Sequence, residues 1–209
     1  NKRPSVDILD PDQKINVHIN KNRCSISLDS SLAPLYKRGY RVNKHEAPLN
    51  EVLAAGMILL SEWDGKSTFV DPMCGSGTLP IEASLISKGI PPGIVREKYG
   101  FMKWKDFDAD LFEQIKNEVV IAENDVLILG ADIKPEYSRL TKVNAKNAGV
   151  ENNLKIFTKA FENLEPKDDT GTIFMNPPYG ERLEVEEINK FYGEIGTILK
   201  HKWMGYDVW

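Results

Sequence analysis

The chain is poor in the residues that bind metals and form disulfides. Its 209 residues include two cysteines, Cys24 and Cys74, and three histidines, His18, His45 and His201. The cysteines lie far apart outside any Cys-x-x-Cys pattern, and the histidines show no ligand spacing. We therefore predict neither a disulfide framework nor a metal site, and the scarcity of thiols favours a reducing cytoplasm.

Long apolar runs are also missing. No run approaches the roughly 18 residues of a membrane-spanning helix, and the polar beginning of the sequence has no hydrophobic signal segment. Hydrophobic residues nevertheless make up 41% of the chain, which is enough for one sizeable core. The composition predicts a soluble, folded, cytoplasmic protein without membrane contact.

An excess of positive charge is lacking as well, because the net charge is −4. The basic residues are concentrated at the start: residues 1–50 hold nine Lys and Arg against five Asp and Glu. Within this part, Tyr36–Arg41 combines cations and aromatic rings that can contact phosphates and stack on bases. A solvated basic turn explains the same composition equally well.

A glycine-rich segment, Asp71–Thr78, follows the apolar run Thr68–Val70. Gly75 and Gly77 allow a tight turn that opens a helix, although a lone Gly-x-Gly is often only a connection between a strand and a helix. Asp71 adds an acceptor for an ammonium group, while the loop N–H groups at the helix N-terminus suit a carboxylate. This combination favours a zwitterionic amino acid such as the methionine part of S-adenosylmethionine.

A second acid is needed for the ribose of such a cofactor. Asp132 follows the apolar run Val126–Ala131 but lies 55 residues beyond Gly77, whereas the dinucleotide fingerprint expects about 20. Glu97 has the expected spacing, yet it follows a segment with two prolines that cannot be a buried strand. We prefer Asp132 and interpret the excess length as an insertion with a helix over Asp108–Glu123.

The tetrapeptide Asn176–Tyr179 is the most specific chemical signal. It follows the apolar run Thr172–Met175 and reads Asn-Pro-Pro-Tyr. The Asn176 side-chain carbonyl and the Pro177 backbone carbonyl can accept both N–H groups of an exocyclic amine, and an aromatic ring can stack on its base. Two strand-end loops of this kind meet at one ligand in a doubly wound sheet. A rigid turn after a strand is the alternative for the tetrapeptide alone.

The order of elements predicts an α/β fold with a largely parallel, Rossmann-like sheet and helices on both faces. A β-hairpin, Lys14–Ile19 with Arg23–Leu28, precedes it, and the sheet is expected to be incomplete at the C-terminal end. Leu53, Met57 and Leu60 are expected on one face of the first helix. The expected helices are Leu49–Trp63, 78–87, Asp108–Glu123, Pro135–Ala148 and Glu187–His201. The expected sheet strands are Thr68–Val70, Val126–Ala131, Leu154–Phe157, Thr172–Met175 and Gly205–Trp209.

Together, several segments resemble the ribosomal RNA guanine-N2 methyltransferases with an N-terminal THUMP domain, proteins often labelled as N6-adenine-specific DNA methylases. The segments are Asp71–Thr78, Asn176–Leu183, and Lys37–Arg41 followed by Ala47–Leu49. The resemblance begins near Asp10 and covers nearly all of the rest. It implies that residues 1–30 are the tail of a THUMP-like RNA-binding domain and that residues 31–209 are most of a methyltransferase domain.

The resemblance also implies the roles of individual residues. The amine site is Asn176, Pro177, Pro178 and Tyr179, and the RNA contacts are Arg38, Tyr40 and Arg41. The family often has an acid after the third strand to hold adenine, whereas Ala160 and Phe161 stand here. The implied S-adenosylmethionine contacts are Pro48, Asp71, Pro72, Met73, Cys74, Gly75, Ser76, Gly77, Thr78, Asp132, Ile133, Ala160, Phe161 and Asn176.

Three functions are compatible with these motifs. The favoured one is S-adenosylmethionine-dependent methylation of guanine N2 in 23S ribosomal RNA, because the resemblance extends through the hairpin and the basic segment. The second is methylation of adenine N6 in DNA or of a protein glutamine, since such enzymes share Asn-Pro-Pro-Tyr. The third, a non-catalytic RNA-binding module, is disfavoured by the intact motifs.

Overall fold

A computed structural model of the chain describes residues 5–9, 11–42, 48–123, 125–178 and 185–209. It contains a two-stranded antiparallel sheet and a five-stranded parallel sheet. The antiparallel pair is the predicted hairpin, formed by β1 (Ile15–Asn20) and β2 (Arg23–Leu28). None of the described helices is both long and apolar enough to cross a membrane.

The parallel sheet has the order β5-β4-β3-β6-β7. The chain builds outward from β3 through β4 to β5 and then returns to the other side of β3, so strand order reverses between β3 and β6. In open α/β sheets a ligand binds beyond the carboxyl ends of the strands at such a reversal. The strands are β3 (Phe69–Asp71), β4 (Ile128–Asp132), β5 (Leu154–Thr158), β6 (Gly171–Ile173) and β7 (Tyr206–Val208).

Helices cover both faces of this sheet, as predicted. Side chains alternate along each strand, so Phe69 and Ile128 belong to one apolar core while Val70 and Leu129 belong to another. The first core includes residues of α1, α2 and α4, and the second includes residues of α5. The helices are α1 (Glu51–Leu60), α2 (Thr78–Lys88), α3 (Ala109–Asn117), α4 (Pro135–Asn147) and α5 (Val185–Lys202).

The face of α1 that packs inward is not centred on Leu53, Met57 and Leu60. Leu53 and Leu60 are 53% and 80% exposed, whereas Ala54 and Ile58 are fully buried and Met57 is partly buried. Almost every residue of this helix is apolar, so the sequence period alone does not define a face. Packing against α2 instead selects the side that carries Ala54 and Ile58.

The helix in the insertion is shorter than predicted. It ends at Asn117 rather than Glu123, and the Asp108 side chain caps its start by accepting a hydrogen bond from the Leu111 N–H. Leu111 and Ile115 of this helix are not buried, since each is about half exposed. Phe112 is the residue that anchors α3, through edge contacts with a small cluster of aromatic rings.

The insertion is fastened to the chain that follows the hairpin. Arg96 Nη2 donates to the carbonyls of Ser31 and Ala33, each at 2.6 Å, and its guanidinium lies 4.9 Å from the centre of the Tyr99 ring. The Phe101 N–H donates to the Ser30 carbonyl at 3.2 Å. These contacts connect the hairpin unit to the α/β unit.

Candidate functional site

A cavity of about 710 Å³ lies at the carboxyl ends of the parallel strands. Its walls come from the segments that follow β3, β4, β5 and β6, from the start of α1 and from one side of α5. The location agrees with the reversal of strand order between β3 and β6. Most of the site residues predicted from the sequence line this cavity: Pro48, Asp71, Pro72, Met73, Cys74, Gly75, Ser76, Thr78, Asp132, Ile133, Ala160, Phe161, Asn176 and Pro178.

The glycine loop between β3 and α2 is held by its neighbours. The Gly75 N–H donates to Asp132 Oδ2 at 3.0 Å, and the Gly75 and Ser76 carbonyls accept hydrogen bonds from Thr141 and Asn144 of α4 at 2.8 and 2.9 Å. Gly77 has a φ of +85°, and a Cβ there would lie 2.4 Å from Thr141 Cγ2. Gly77 is not among the lining residues, so its role is to let the loop pass close to α4.

Two carboxyl groups face the cavity from adjacent strand ends. Asp71 is 2% exposed, and its Oδ1 accepts a hydrogen bond from the Met73 N–H at 3.1 Å. Burial, with a smaller contribution from the nearby Asp132 charge, raises the pKa of Asp71 to about 8. A cation in the cavity would reverse this effect, because it favours the ionised carboxylate.

Asp132 is 9% exposed and is held in place by backbone groups. Its Oδ1 accepts a hydrogen bond from the Lys134 N–H at 2.8 Å, while Oδ2 accepts the bond from Gly75. Each oxygen retains a second lone pair, so the carboxylate can still accept hydroxyl groups of a ligand. The two backbone bonds fix its orientation at the cavity wall.

The Asn-Pro-Pro segment lies at the other side of the cavity. Asn176 is exposed and lines the cavity together with Pro178, whereas Pro177 does not line it. The strand end before Asn176 is bound to Trp209: the Met175 N–H donates to the Trp209 carbonyl at 3.1 Å, and the Trp209 N–H donates to the Ile173 carbonyl at 2.9 Å. Tyr179, the predicted stacking residue, lies outside the described residues, as does Ala47.

An apolar wall completes the part of the cavity near β5. Ala160 and Phe161 line it as predicted, and the buried Phe161 ring packs 6.0 Å from Trp203. Ile133, on the adjacent loop, is 67% exposed and also faces the cavity. Ala160 and Phe161 offer packing to a planar ring, and the adjacent Glu162 adds a carboxyl group to the same part of the lining.

The sequence did not indicate the contribution of α4 and α5. A helix that packs on a sheet shows an apolar stripe whether or not part of that stripe faces a cavity, so periodicity gives no signal for these residues. The signal that existed is position, since α5 follows the Asn-Pro-Pro loop in the chain. The additional lining residues from these regions are Lys134, Tyr137, Phe191, Glu194, Ile195 and Ile198.

The predicted RNA contacts are placed in the interior. Tyr40 is 1% exposed, and its hydroxyl donates to Glu82 Oε1 at 3.1 Å. Arg38 pairs with the same carboxylate at 3.3 Å, and Arg41 Nε lies 2.8 Å from Glu51 Oε1. Buried and paired in this way, these side chains do not present a surface to RNA, and the prediction that Tyr40 stacks on a base does not fit the structure.

Thiol chemistry finds no support in the site. Cys74 is 7% exposed, and burial raises the pKa of its thiol well above its usual value. Its sulfur lies 3.7 Å from Thr141 Oγ1 and packs beneath the loop. Cys74 thus fills space in the cavity wall.

The parallel sheet, the reversal of strand order and the cavity at that point define a doubly wound α/β protein with a ligand site at its strand ends. Two family models match the chain: a THUMP domain over residues 1–29, and an RMKL-like methyltransferase domain over residues 38–207. The chain therefore belongs to the family of RMKL-like methyltransferase domains, as its motifs indicated.

Curated relatives and solved structures agree with this family. The chain is 36% identical over 218 residues to ribosomal RNA large subunit methyltransferase K/L of Desulfotalea psychrophila, covering 99% of this chain and 30% of that protein. With the enzyme of the same name from Buchnera aphidicola it shares 40% identity over 205 residues, covering 91% and 28%. The chain thus spans about a third of the length of these curated relatives.

Two solved structures share the fold over 94% of this chain and 52% of theirs. One is SMU.472 complexed with SAH, with a TM-score of 0.86 and 32% identity. The other is a predicted N6-adenine-specific DNA methylase from Listeria monocytogenes, with a TM-score of 0.85 and 34% identity. The names of these relatives include both RNA and DNA enzymes, so a name alone does not select the nucleic acid.

Proposed function

We propose that the chain is the catalytic part of an RNA methyltransferase that uses S-adenosylmethionine. The single observation that carries this proposal is the convergence of Asp71, Asp132 and Asn176 on one cavity. These residues come from three different strand ends, and only the fold brings them together. Membership in the RMKL-like family supports the same reaction class.

The residues present fit this cofactor. Asp71 is a buried carboxyl group that accepts a hydrogen bond from the Met73 N–H, and among the described residues it has no cationic partner that would favour its charge. An ammonium group satisfies that need, and Asp132 offers free lone pairs to ribose hydroxyls. The apolar wall at Ala160 and Phe161 matches an adenine ring. When bound, the cofactor supplies a methyl group on a positively charged sulfur.

The remaining residues act on the amine that accepts the methyl group. In this proposal Asn176 Oδ1 and the carbonyl of Pro177, which follows it just outside the cavity lining, accept the two N–H groups. These two bonds localise the nitrogen lone pair. This positions the nucleophile and stabilises the charge that develops on nitrogen in the transition state. No covalent bond to the protein is required.

Within this class, we propose guanine N2 of 23S ribosomal RNA as the target. Support comes from the extension of the family resemblance through the hairpin, which the THUMP model also matches, and from relatives named for the large ribosomal subunit. In this proposal residues 1–30 belong to the THUMP-like domain and residues 31–209 to the methyltransferase domain. A paired base must leave its stack to reach the cavity.

Methyl transfer from labelled S-adenosylmethionine by the complete gene product tests the substrate. Naked or partly assembled ribosomal RNA should accept label as N2-methylguanosine, whereas duplex DNA should accept little. Label in N6-methyladenine of DNA or on protein glutamine would reject the guanine target but leave the methyltransferase in place. If none of these substrates accepts label, the proposed methyltransferase activity is wrong.

Substitution of Asn176 tests the chemistry separately. Asn176→Ala should lower turnover by about two orders of magnitude or more, because a preorganised transition-state hydrogen bond is lost. Cofactor affinity, measured by calorimetry, should change little. Normal turnover in this variant would place the amine elsewhere, and a lost affinity would make Asn176 a cofactor residue.

A further inference from the structure

Arg41 connects two walls of the cavity from behind. Its Nη2 donates to the Leu49 carbonyl and to Thr78 Oγ1, both at 2.6 Å. Leu49 precedes α1, Thr78 begins α2, and both residues line the cavity. A single guanidinium therefore holds two segments that are 29 positions apart in the sequence.

A buried carboxylate compensates the charge of this guanidinium. Glu51 is 6% exposed, and its Oε1 lies 2.8 Å from Arg41 Nε, close enough for an ion pair although the N–H is not aimed at that oxygen. The Arg41 side chain is 16% exposed. A charge pair at this depth is sensitive to loss of either partner, because the remaining charge is left without compensation.

Arg38 offers an internal comparison. It lies three residues before Arg41 in the chain. Its side chain is 11% exposed and pairs with Glu82 of α2 at 3.3 Å. Among the described residues, Glu82 is not part of the cavity lining. The two arginines thus have similar burial and similar partners, but the hydrogen bonds of Arg41 alone reach residues that line the cavity.

We propose that Arg41 is a positioning residue that fixes the distance between the 48–49 segment and the start of α2, and thereby shapes the end of the cavity that takes the methionine part of the cofactor. This inference rests on the proposed function. It replaces the role in RNA binding that the basic composition of the 36–41 segment suggested. Lysine in place of Arg41 keeps the charge and reaches fewer acceptors, so it preserves part of the effect.

Calorimetric titration of the complete protein with S-adenosylhomocysteine tests the proposal, with Arg41→Ala, Arg41→Lys and the control Arg38→Ala. We expect Arg41→Ala to weaken binding about tenfold to a hundredfold, as for loss of a charged hydrogen bond, and Arg41→Lys to weaken it less. Arg38→Ala should lower the melting temperature while leaving the dissociation constant within about threefold of the parent.

Hydrogen exchange of the same variants separates positioning from general destabilisation. Arg41→Lys should increase exchange locally in 48–53 and 77–82, whereas Arg38→Ala should leave 48–53 unchanged. Parental affinity in Arg41→Ala, or equal loss of affinity in Arg38→Ala, would overturn the proposal. If Arg41→Ala does not fold, unchanged exchange and affinity in Arg41→Lys would also overturn it. A parent protein that binds no S-adenosylhomocysteine would instead reject the proposed function, and this inference with it.

Discussion

Asp71 makes the stability of the ligand-free protein depend on pH. Its pKa is about 8 in the folded state, against an ordinary value of 3.8, so the folded protein binds an extra proton between these values. Stability from this group is full below about pH 4 and is lost as pH rises towards 8. Asp71→Asn should remove this dependence of the free energy of unfolding on pH. Above pH 8 the variant should be more stable than the parent by on the order of a few kcal/mol.

Urea denaturation at several pH values measures this effect, and Asp64→Asn is a control of opposite sign. Three hydrogen bonds from Lys66 and Ser67 lower the pKa of the exposed Asp64, so its stabilising effect is lost only as pH falls below its ordinary range. If the free energy of unfolding falls with pH equally in Asp71→Asn and in the parent, Asp71 is not the group responsible.

Gly75 and Gly77 both have a positive φ but different surroundings. Gly77→Ala places a methyl group 2.4 Å from Thr141 Cγ2, whereas the same change at Gly75 meets no atom within 4 Å. Both variants lose roughly 1–2 kcal/mol to the left-handed conformation, and Gly77→Ala should lose about 1–3 kcal/mol more through overpacking. Urea unfolding of the two variants provides the comparison. Equal losses would mean that Thr141 moves aside without cost.

At the level of elements, Arg96 joins the insertion to the chain after the hairpin. Its contacts with the carbonyls of Ser31 and Ala33 should be lost in Arg96→Ala, with a cost of about 1.5–3 kcal/mol. We expect faster hydrogen exchange in 29–35 and unchanged exchange in the parallel sheet. Lys103→Ala is the control, because it removes an exposed ion pair with Asp12 and should cost less than about 1 kcal/mol. Unaltered exchange at 29–35 in Arg96→Ala would refute this role.

The elements that the sequence predicted well are those whose signals are local. The strands before Asp71 and Asn176 are short apolar runs followed by turn residues, and Pro135 and Gly149 bracket α4. The face of α1 and the end of α3 could not be predicted in the same way. They depend on which neighbour each helix meets, and neither the apolar sequence of α1 nor the period of α3 contains that information.

At the level of the whole molecule, the sequence predicted the residues that line the cavity better than the buried ion pairs that hold its walls. Strand-end residues such as Asp71 and Asp132 could be placed together because parallel strands end at one edge. The basic 36–41 segment was misjudged, since composition does not reveal whether a cation faces water or a buried carboxylate. The partners that decide this are Glu51 and Glu82, which lie in the helices α1 and α2 and not in the basic segment itself.

The contact between Trp209 and the end of β6 has a mechanical consequence. Two backbone hydrogen bonds and a ring stack between Trp209 and Phe174, at 6.1 Å, lie directly before Asn176. A displacement of Trp209 would be transmitted through these bonds to the end of β6, and so to Asn176, the residue proposed to bind the amine. β7 and the residue that follows it thus help to set the position of the strand end that carries Asn176.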